Sequence, residues 1–292
     1  MSTTPEQGTD SVPQLISALA DHGYIADRGL ATSVLLAVKL GKPLLLEGEV
    51  GVGKTELAKT LAGMFGRELI RLQCYEGIDM NHALYEWDYA RQMLFVRSLS
   101  QSEVASNDDD LFGERFLVER PLLQAVRAGD RCVLLIDEVD RADDEFEAFL
   151  LELLGDFQVT VPEVGTIKAD TRPIVILTSN RTRELHDALK RRCLYTWIGF
   201  PEQDREVEIV RSRLPHVTES LAAQVVSAVN KLRAMELEKL PGVAETIDWT
   251  ESLDALGVQN LTPEAALDTL GAVVKDRDDL EYTAKSVQDV VA

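Results

Sequence analysis

Cysteine and histidine are scarce in this chain of 292 residues. The three cysteines, Cys74, Cys132 and Cys193, are isolated and show no C-x-x-C spacing, and the four histidines form no H-E-x-x-H motif. Such spacing predicts neither a disulfide framework nor a zinc site. We expect these residues to occupy core or surface positions without a chemical role.

Long apolar runs and an excess of positive charge are missing as well. No stretch of about 18 apolar residues exists, so no membrane-spanning helix is expected. The N-terminus lacks both a basic start and an apolar core, which argues against a signal peptide and favours a cytoplasmic location. The net charge of −20 argues against a nucleic-acid-binding surface, although it leaves room for a local basic pore.

A glycine-rich loop is the most specific motif that the sequence contains. Residues 48–55 read G-E-V-G-V-G-K-T and fit the phosphate-binding pattern G-x-x-x-x-G-K-[ST]. An apolar run precedes this loop and a helical pattern follows it, so backbone N–H groups converge where a triphosphate fits. Lys54 is expected at the β- and γ-phosphates, and the Thr55 hydroxyl at magnesium. The candidate nucleotide-binding residues are Gly48, Glu49, Val50, Gly51, Val52, Gly53, Lys54, Thr55 and Glu56.

Two acids end another apolar run, Val133–Ile136. We expect this run to be a buried strand that neighbours the strand before the glycine loop, with ligands at its carboxyl end. Asp137 is then a magnesium ligand, and Glu138 orients and deprotonates the attacking water. Taken alone, two acids could simply begin a polar loop. Their combination with the glycine loop favours an ATPase site.

Further polar residues border the next two apolar runs. Asn180 follows the run Ile174–Thr178 and could reach the γ-phosphate or the attacking water, although asparagine is equally common in turns. Lys190, Arg191 and Arg192 precede the last apolar run. They indicate either a solvated face or an arginine finger that stabilises transition-state charge on the ATP of a neighbouring subunit.

Alternating segments predict an α/β layered fold. The apolar runs are Pro43–Leu46, Glu68–Gln73, Cys132–Ile136, Ile174–Thr178 and Leu194–Ile198. Because helical patterns separate them, we expect parallel strands buried on both faces. After Pro201 the patterns are helical only, near 202–214, 217–237, 246–256, 263–274 and 278–291. We therefore divide the chain into a tail at 1–12, an α/β domain at 13–200 and a helical domain at 201–292.

Two stretches interrupt this regularity. Residues 75–118 have no clean period and include Glu103 and Asp108–Asp110, which indicates an insertion with a solvated loop. Residues 157–168 alternate between apolar and polar side chains around a proline and a glycine, which predicts a β-hairpin.

In this order the motifs resemble those of the AAA+ ATPases, over about residues 12–260. The resemblance implies an αβα sandwich with a central parallel five-stranded sheet and a small all-helical lid. It also implies ATP and Mg²⁺ as cofactors and a homo-oligomeric ring, most often a hexamer. Asn180 corresponds to the sensor 1 residue of that family, Arg192 best matches its arginine finger, and Arg191 is the second choice.

The chain also resembles one subgroup, the MoxR-type ATPases. The helix-2 insert at about 75–95 and the stretches Arg115–Leu123 and Asp137–Ala142 look like those of this group. The hairpin at 157–168 lies where the group carries its pre-sensor-1 hairpin, and Glu245–Trp249 looks closest to the CoxD branch. The resemblance implies a chaperone that remodels or matures a client, such as a CO dehydrogenase-like metal-cofactor enzyme, together with a von Willebrand A domain partner.

The chain departs from the family pattern at Ala244, where the lid usually carries the sensor 2 arginine. Lys239 is nearby but not aligned, so coupling of the lid to the nucleotide is in doubt or belongs to another cation. The resemblance implies for Arg141 a role across the subunit boundary, and a surface salt bridge is an equally good interpretation.

Other interpretations stay open at this point. The aromatic residues Tyr85, Trp87, Tyr89 and Phe95 suit contact with a protein partner, or they pack the insert onto the core. A DNA-directed motor is one alternative function, but the acidic chain and a hairpin without a basic cluster argue against it. A nucleotide-sensing scaffold without hydrolysis is another, against which the complete set of acids and Asn180 argues.

Overall fold

The computed structural model describes residues 10–98, 113–162 and 164–292. Its strands are β1 (Leu44–Gly48), β2 (Glu68–Gln73), β3 (Tyr85–Trp87), β4 (Leu117–Glu119), β5 (Cys132–Asp137), β6 (Gln158–Val161), β7 (Gly165–Lys168), β8 (Ile174–Ser179) and β9 (Leu194–Ile198). Five of them form one parallel sheet in the order β2-β5-β8-β1-β9. The predicted α/β fold with a central five-stranded parallel sheet is confirmed.

Burial on both faces explains why the inner strands are continuous apolar runs. Every residue of β1 is buried, and Leu44, Leu45 and Leu46 are fully inaccessible to solvent. Each leucine buried in this way stabilises the fold by about 1.5–3 kcal/mol. The outermost strand β9 instead alternates, with Tyr195 and Trp197 exposed, because successive side chains point to opposite faces of the sheet and only one face of β9 is partly buried.

Helices cover the sheet and precede or follow its strands. In this part of the chain they are Val12–Asp21, Arg28–Leu40, Lys54–Phe65, Met80–Ala83, Tyr89–Ser98, Pro121–Ala128, Asp144–Asp156 and Asp187–Arg192. Short 3₁₀ turns lie at Glu114–Phe116, Gly129–Arg131 and Val139–Arg141. The first helix begins at Val12, inside the stretch expected to be a tail, since Pro13 has the fixed φ that suits a first helical turn.

The insertion after β2 contains its own small sheet. Strands β3 and β4 pair antiparallel, and the Phe95 ring lies 5.6 Å from that of Phe116. Tyr89 is 67% exposed, so the aromatic residues of the insert divide between internal packing and the surface. The expected solvated loop with Glu103 and Asp108–Asp110 lies outside the described residues. Strands β6 and β7 also pair antiparallel, in the stretch where a hairpin is predicted.

The helices from Gln203 onward, which we call the C-terminal helices, have a core of their own. They are Gln203–Arg213, Glu219–Arg233, Val243–Ala255, Pro263–Val273, Arg277–Lys285 and Val287–Val291. The last two were expected as one helix, and the chain breaks between them at Ser286. Trp249 is fully buried among them and donates from its indole Nε1 to Thr269 Oγ1 at 2.7 Å.

A buried ion pair fixes three of these helices together. Arg233 donates to both carboxylate oxygens of Glu206, at 2.6 and 2.8 Å, and Thr246 Oγ1 donates to the same carboxylate at 2.7 Å. Arg233 Nε also donates to the Pro241 carbonyl at 2.8 Å. Because a buried charge needs such partners, this network fixes the position at which helix Val243–Ala255 begins. Within the described residues no helix is long and apolar enough to cross a bilayer.

Candidate active site

Three strand ends meet at one edge of the central sheet. Because β8 lies between β5 and β1, the chain segments that follow these three parallel strands leave the sheet side by side. This order differs from the expectation that the strand of Asp137 is the direct neighbour of β1. Hydrophobic periodicity identifies strands but carries no information on their lateral order, which tertiary packing decides.

Thr178, at the end of β8, bridges the gap that this order creates. Its hydroxyl donates to Asp137 Oδ1 at 2.6 Å and accepts the Glu138 backbone N–H at 2.8 Å. Thr178 was not among the predicted site residues. A hydroxyl two residues before Asn180, near the end of a buried strand, was the signal in the sequence.

The glycine loop and the acidic strand end are in direct contact. Thr55 Oγ1 donates to Asp137 Oδ1 at 2.9 Å, across 82 residues of sequence. Lys54 is only 7% exposed and donates from Nζ to the backbone carbonyls of Gly48 and Glu49, at 2.7 and 2.6 Å. The structure thus brings together the residues that sequence motifs predicted for phosphate and magnesium.

The charge of Lys54 depends on its acidic neighbours. Burial lowers the pKa of the Lys54 ammonium below its usual value, while the carboxylates of Asp140, Glu49, Asp137 and Glu138 oppose this effect. A phosphate group in the same place would act in the same direction as these carboxylates. The site therefore favours an anionic ligand at Lys54.

Gly48 is required by the sheet itself. A Cβ atom at this position would lie 1.9 Å from the carbonyl oxygen of Ile198 in β9, which is far closer than atoms can approach. The first glycine of the motif therefore allows strand β9 to pair alongside β1, and the later glycines shape the loop.

Glu138 has an unusual backbone conformation. Its φ of 54° and ψ of 50° place it in the left-handed region, which costs a non-glycine residue about 1–2 kcal/mol. The hydrogen bond from its N–H to Thr178 supports this conformation. Its carboxylate Oε2 lies 3.2 Å from Arg141 Nε, so Arg141 forms a surface ion pair with the candidate general base in the same chain.

A second tether joins the turn after β5 to the turn after β8. The carboxylate of buried Asp140 accepts the Thr182 backbone N–H at 2.8 Å and the Thr182 hydroxyl at 2.7 Å. Asp140 follows Glu138 by two residues, and Thr182 follows Asn180 by two residues. The tether therefore sets the distance between these two candidate catalytic residues, and motif matching had missed both Asp140 and Thr182 in this role.

These groups surround a cavity of about 270 Å³. It is lined by Val50, Gly51, Val52, Gly53, Lys54, Thr55, Glu56, Asp137, Glu138, Thr178, Asn180 and Ala244. The Asn180 side-chain amide makes no hydrogen bond with the part of the chain that the structure describes, which leaves it available to a ligand.

A second cavity of about 360 Å³ adjoins the first, since both are lined by Gly51, Val52, Gly53, Glu56 and Ala244. Its walls include the apolar side chains of Ile25, Val243 and Ile247 and the ring of Tyr24. Apolar walls beside a phosphate-binding loop suit a nucleobase. No local pattern in the sequence marks this half of the site, because its walls come from segments more than 200 residues apart.

Oxygen donors for a divalent cation lie between the loop and β5. The Thr55 hydroxyl and the Asp137 carboxylate are hard ligands, which Mg²⁺ prefers together with water and substrate phosphates. Arg71 on β2 holds the other Asp137 oxygen, Oδ2, at 2.6 Å. In the described part of the chain, no group of three or more His, Cys, Asp or Glu side chains could hold a metal by itself. The donor set therefore fits a magnesium ion that arrives with a nucleotide.

The candidate finger residues lie at the opposite ends of the strands. Arg191 and Arg192 end the helix before β9, and β9 runs parallel to β1 with Leu194 opposite Leu44. Strand length alone therefore separates them from the glycine loop by about 13 Å. The Arg192 side chain donates to the carbonyl of Leu151, whereas the Arg191 side chain has no hydrogen bond or ion pair within the described residues.

The structure places Lys239, the cation considered near Ala244, away from the two cavities. Lys239 Nζ lies 3.7 Å from Asp276 Oδ2, on the side of the last helices. Arg213 instead lines the second cavity, and its Nη2 lies 2.6 Å from Glu56 Oε1. Arg213 was missed because it ends the first of the C-terminal helices, whereas the stretch around Ala244 that was compared with the family pattern lies in the third.

Comparison with known proteins agrees with this geometry. Residues 43–193 match the family model of the AAA domain, dynein-related subfamily. The chain is 25% identical to the gas vesicle ATPase GvpN of Haloferax mediterranei, over 87% of this chain and 76% of GvpN. It is 26% identical to protein NorQ of Paracoccus denitrificans, over 68% of this chain and 67% of NorQ. The first of these relatives is itself named an ATPase.

A solved structure agrees on the fold alone. A RuvB variant of Thermotoga maritima superimposes with a TM-score of 0.50 at 16% identity, over 93% of this chain and 75% of that one.

Proposed function

Since this chain belongs to the dynein-related AAA family, we propose that it hydrolyses ATP with magnesium at the joint cavity of the glycine loop, β5 and β8. The observation that carries the proposal is the convergence of Lys54, Thr55 and Asp137. The Thr55 hydroxyl lies 2.9 Å from Asp137 Oδ1, and Lys54 is buried beside them. Such a cluster suits a triphosphate with its metal better than any uncharged ligand.

Each residue of the cavity has a proposed task. The backbone N–H groups of the loop and the Lys54 ammonium bind the phosphates. Glu138 accepts a proton from the attacking water, and the Asn180 amide orients this water or the γ-phosphate. The apolar cavity beside Tyr24 receives the base. Thr55 and Asp137 hold magnesium, which when bound neutralises charge on the phosphate oxygens.

The site is completed by a second copy of the chain, in a ring that we expect to be a hexamer. Arg192, or Arg191 as the second choice, supplies the positive charge that the transition state needs. The support for this step is geometric, because both arginines lie about a strand length from their own glycine loop. Hydrolysis then depends on assembly.

We further propose that the energy of hydrolysis remodels or matures a client protein. The similarity to GvpN and NorQ supports a MoxR-type role, and the stretch Glu245–Trp249 supports a place near the CoxD branch. A metal-cofactor enzyme of the CO dehydrogenase type is the proposed client, with a von Willebrand A domain protein as partner. The exposed side chains Tyr89, Met93 and Leu94 on one helix of the insert support contact with another protein.

Binding and turnover of MgATP test the enzymatic proposal. Lys54→Ala should abolish tight binding, because it removes the buried charge at the phosphates. Glu138→Gln should bind MgATP like the wild type yet release almost no phosphate. Calorimetry and a phosphate-release assay measure the two effects, and equal loss of affinity in both variants would contradict the assigned roles.

The Glu138→Gln variant with bound but unhydrolysed ATP offers a test of the client proposal. Glu138→Gln with ATP should retain client and von Willebrand A partner during purification from the native cell, whereas Lys54→Ala should not. A variant with Tyr89→Ser and Leu94→Ser should hydrolyse ATP normally and lose the partner. Retention of the same proteins by all three variants would speak against nucleotide-controlled remodelling.

A further inference from the structure

The C-terminal helices contact the phosphate loop through backbone atoms. Val243 and Ala244, the first two residues of helix Val243–Ala255, both donate their N–H groups to the carbonyl oxygen of Gly51, at 3.1 and 3.3 Å. The N–H groups of a first helical turn have no partner inside their own helix. The loop carbonyl therefore caps this helix, and the helix in turn fixes one peptide of the loop.

Two glycines make this approach possible. A Cβ atom on Gly242 would lie 2.6 Å from the Val50 carbonyl oxygen and 2.8 Å from Gly51 Cα. A Cβ atom on Gly51 would lie 3.1 Å from Gly242 Cα. The φ of Gly242 is −82°, which any residue adopts. An alanine at Gly242 would therefore push the helix and the loop apart without straining its own backbone.

The peptide between Gly51 and Val52, which the helix holds in this way, also carries the Val52 N–H group on the side away from the helix. In a trans peptide, the Val52 N–H points opposite to the Gly51 C=O, and the structure has no cis peptides in its described part. Hydrogen bonds to a carbonyl polarise the whole peptide and strengthen its N–H as a donor, by roughly 10–30% per bond. With the helix in contact, the Val52 N–H is thus directed away from the helix and made a better donor.

A side-chain contact lies beside the backbone contact. Arg213, the last residue of helix Gln203–Arg213, pairs with Glu56 in the first turn of helix Lys54–Phe65. Burial alone would raise the pKa of Glu56, but hydrogen bonds from Arg213 and Lys59 hold this pKa below its usual value, so the pair is charged at neutral pH. Both residues of the pair are partly exposed, and such pairs add little to global stability.

We propose that Gly242 and Arg213 form a clasp through which the C-terminal helices hold the phosphate loop in its nucleotide-binding conformation. Ala244, where the family pattern has the sensor 2 arginine, cannot do this through its methyl side chain. Both are positioning residues, since Gly242 acts through the Gly51 peptide and Arg213 through Glu56. The inference rests on the proposed function. Linkage makes the effect reciprocal: if closure of the clasp favours phosphate binding, phosphate binding favours closure by the same factor.

The affinity for MgATP tests the clasp. Gly242→Ala and Arg213→Ala should each bind MgATP about ten-fold more weakly in calorimetry, within the usual range of coupling between sites. Two matched controls should bind like the wild type. Gly271→Ala places its methyl group in open space on helix Pro263–Val273, and Arg211→Ala removes a guanidinium from the same helix as Arg213, where it pairs with Glu219.

Further measurements separate positioning from folding. Without nucleotide, the thermal midpoint of Arg213→Ala should match that of the wild type, and Arg213→Lys should recover most of the affinity. In a double-mutant cycle, adding Glu56→Gln to Arg213→Ala should weaken binding no further, because the pair is already broken. Additive losses would contradict an action through Glu56, and this cycle stays decisive if Gly242→Ala fails to fold.

The outcomes also separate this inference from the proposed function. Unchanged affinity in both Gly242→Ala and Arg213→Ala, with a wild type that binds MgATP, would overturn the clasp alone. A wild type that does not take up MgATP would overturn the proposed function itself.

Discussion

The two ends of the central strands differ in how their charges are satisfied. At the carboxyl ends, Thr55, Asp137 and Thr178 share short hydrogen bonds, and the Lys54 ammonium donates to two backbone carbonyls of the glycine loop. At the amino end of β9, Arg191 is exposed and has no partner within the described residues. Under the proposed function, the groups for binding and attack lie at one end of the strands and the cationic charge for the transition state lies at the other. The proposal therefore requires two copies of the chain to bring them together.

The largest expected effect comes from the arginine end. Arg192→Ala should bind MgATP normally but hydrolyse it about 10³–10⁵-fold more slowly, the usual cost of losing an arginine finger. Steady-state phosphate release, with affinity measured in parallel, checks this. Lys190→Ala on the same helix is the matched control and should turn over normally.

The companion variant Arg191→Ala sharpens the assignment. Arg192 must leave the Leu151 carbonyl before it can reach a neighbour, whereas Arg191 is available as it stands. A large loss in Arg191→Ala alone would transfer the role to that residue. Normal turnover in both variants would contradict a finger at this end of the sheet.

A smaller effect is expected at the tether between the two turns of the carboxyl end. Asp140→Ala removes the hydrogen bonds to Thr182, so the distance between Glu138 and Asn180 is no longer fixed. A misplacement of about 1 Å costs about 10²-fold in kcat. Asp140→Asn keeps an acceptor oxygen for Thr182 and should lose much less. Affinity for MgATP should change little in either variant. Equal losses of kcat in both would show that charge, and not the tether, is what matters.

The smallest effect concerns pH. Since the folded-state pKa of Glu56 is lowered from its ordinary value of 4.5, its carboxylate stabilises the fold fully above that value. This contribution is lost as the pH falls through the lowered pKa. The difference in the free energy of unfolding between wild type and Glu56→Gln should therefore shrink at acidic pH. A difference that stays constant between pH 7 and pH 3 would rule out the charged pair with Arg213.

Part of the fold and of the candidate site could be predicted from local patterns in the sequence. Strands such as β1 and β5 followed directly from bounded apolar runs, because burial on both faces of the sheet selects such residues locally. The glycine loop and the acids were found because the spacing of these residues along the chain is what places their binding groups, and this spacing can be read from the sequence. The candidate magnesium ligands Thr55 and Asp137 were expected at one point, and their side chains are hydrogen-bonded even though β8 lies between their strands.

The remainder of the site depends on contacts that local patterns do not encode. Thr178 acquires its role only because β8 lies between β1 and β5. Tyr24 and Arg213 meet at one cavity although 189 residues separate them along the chain. Ser286 divides the last helices without proline or glycine. Each of these features is set by tertiary packing, which overrides the periodicity of the segments involved.

Subunit mixing tests the shared site most directly. One variant carries Glu138→Gln and keeps its arginines, and the other carries Arg191→Ala and Arg192→Ala and keeps Glu138. Each should be inactive alone, and mixed oligomers should regain phosphate release, because a complete site forms where the two kinds of subunit meet. A double-arginine variant that is active by itself, or mixed oligomers that stay inactive, would contradict a site built from two copies.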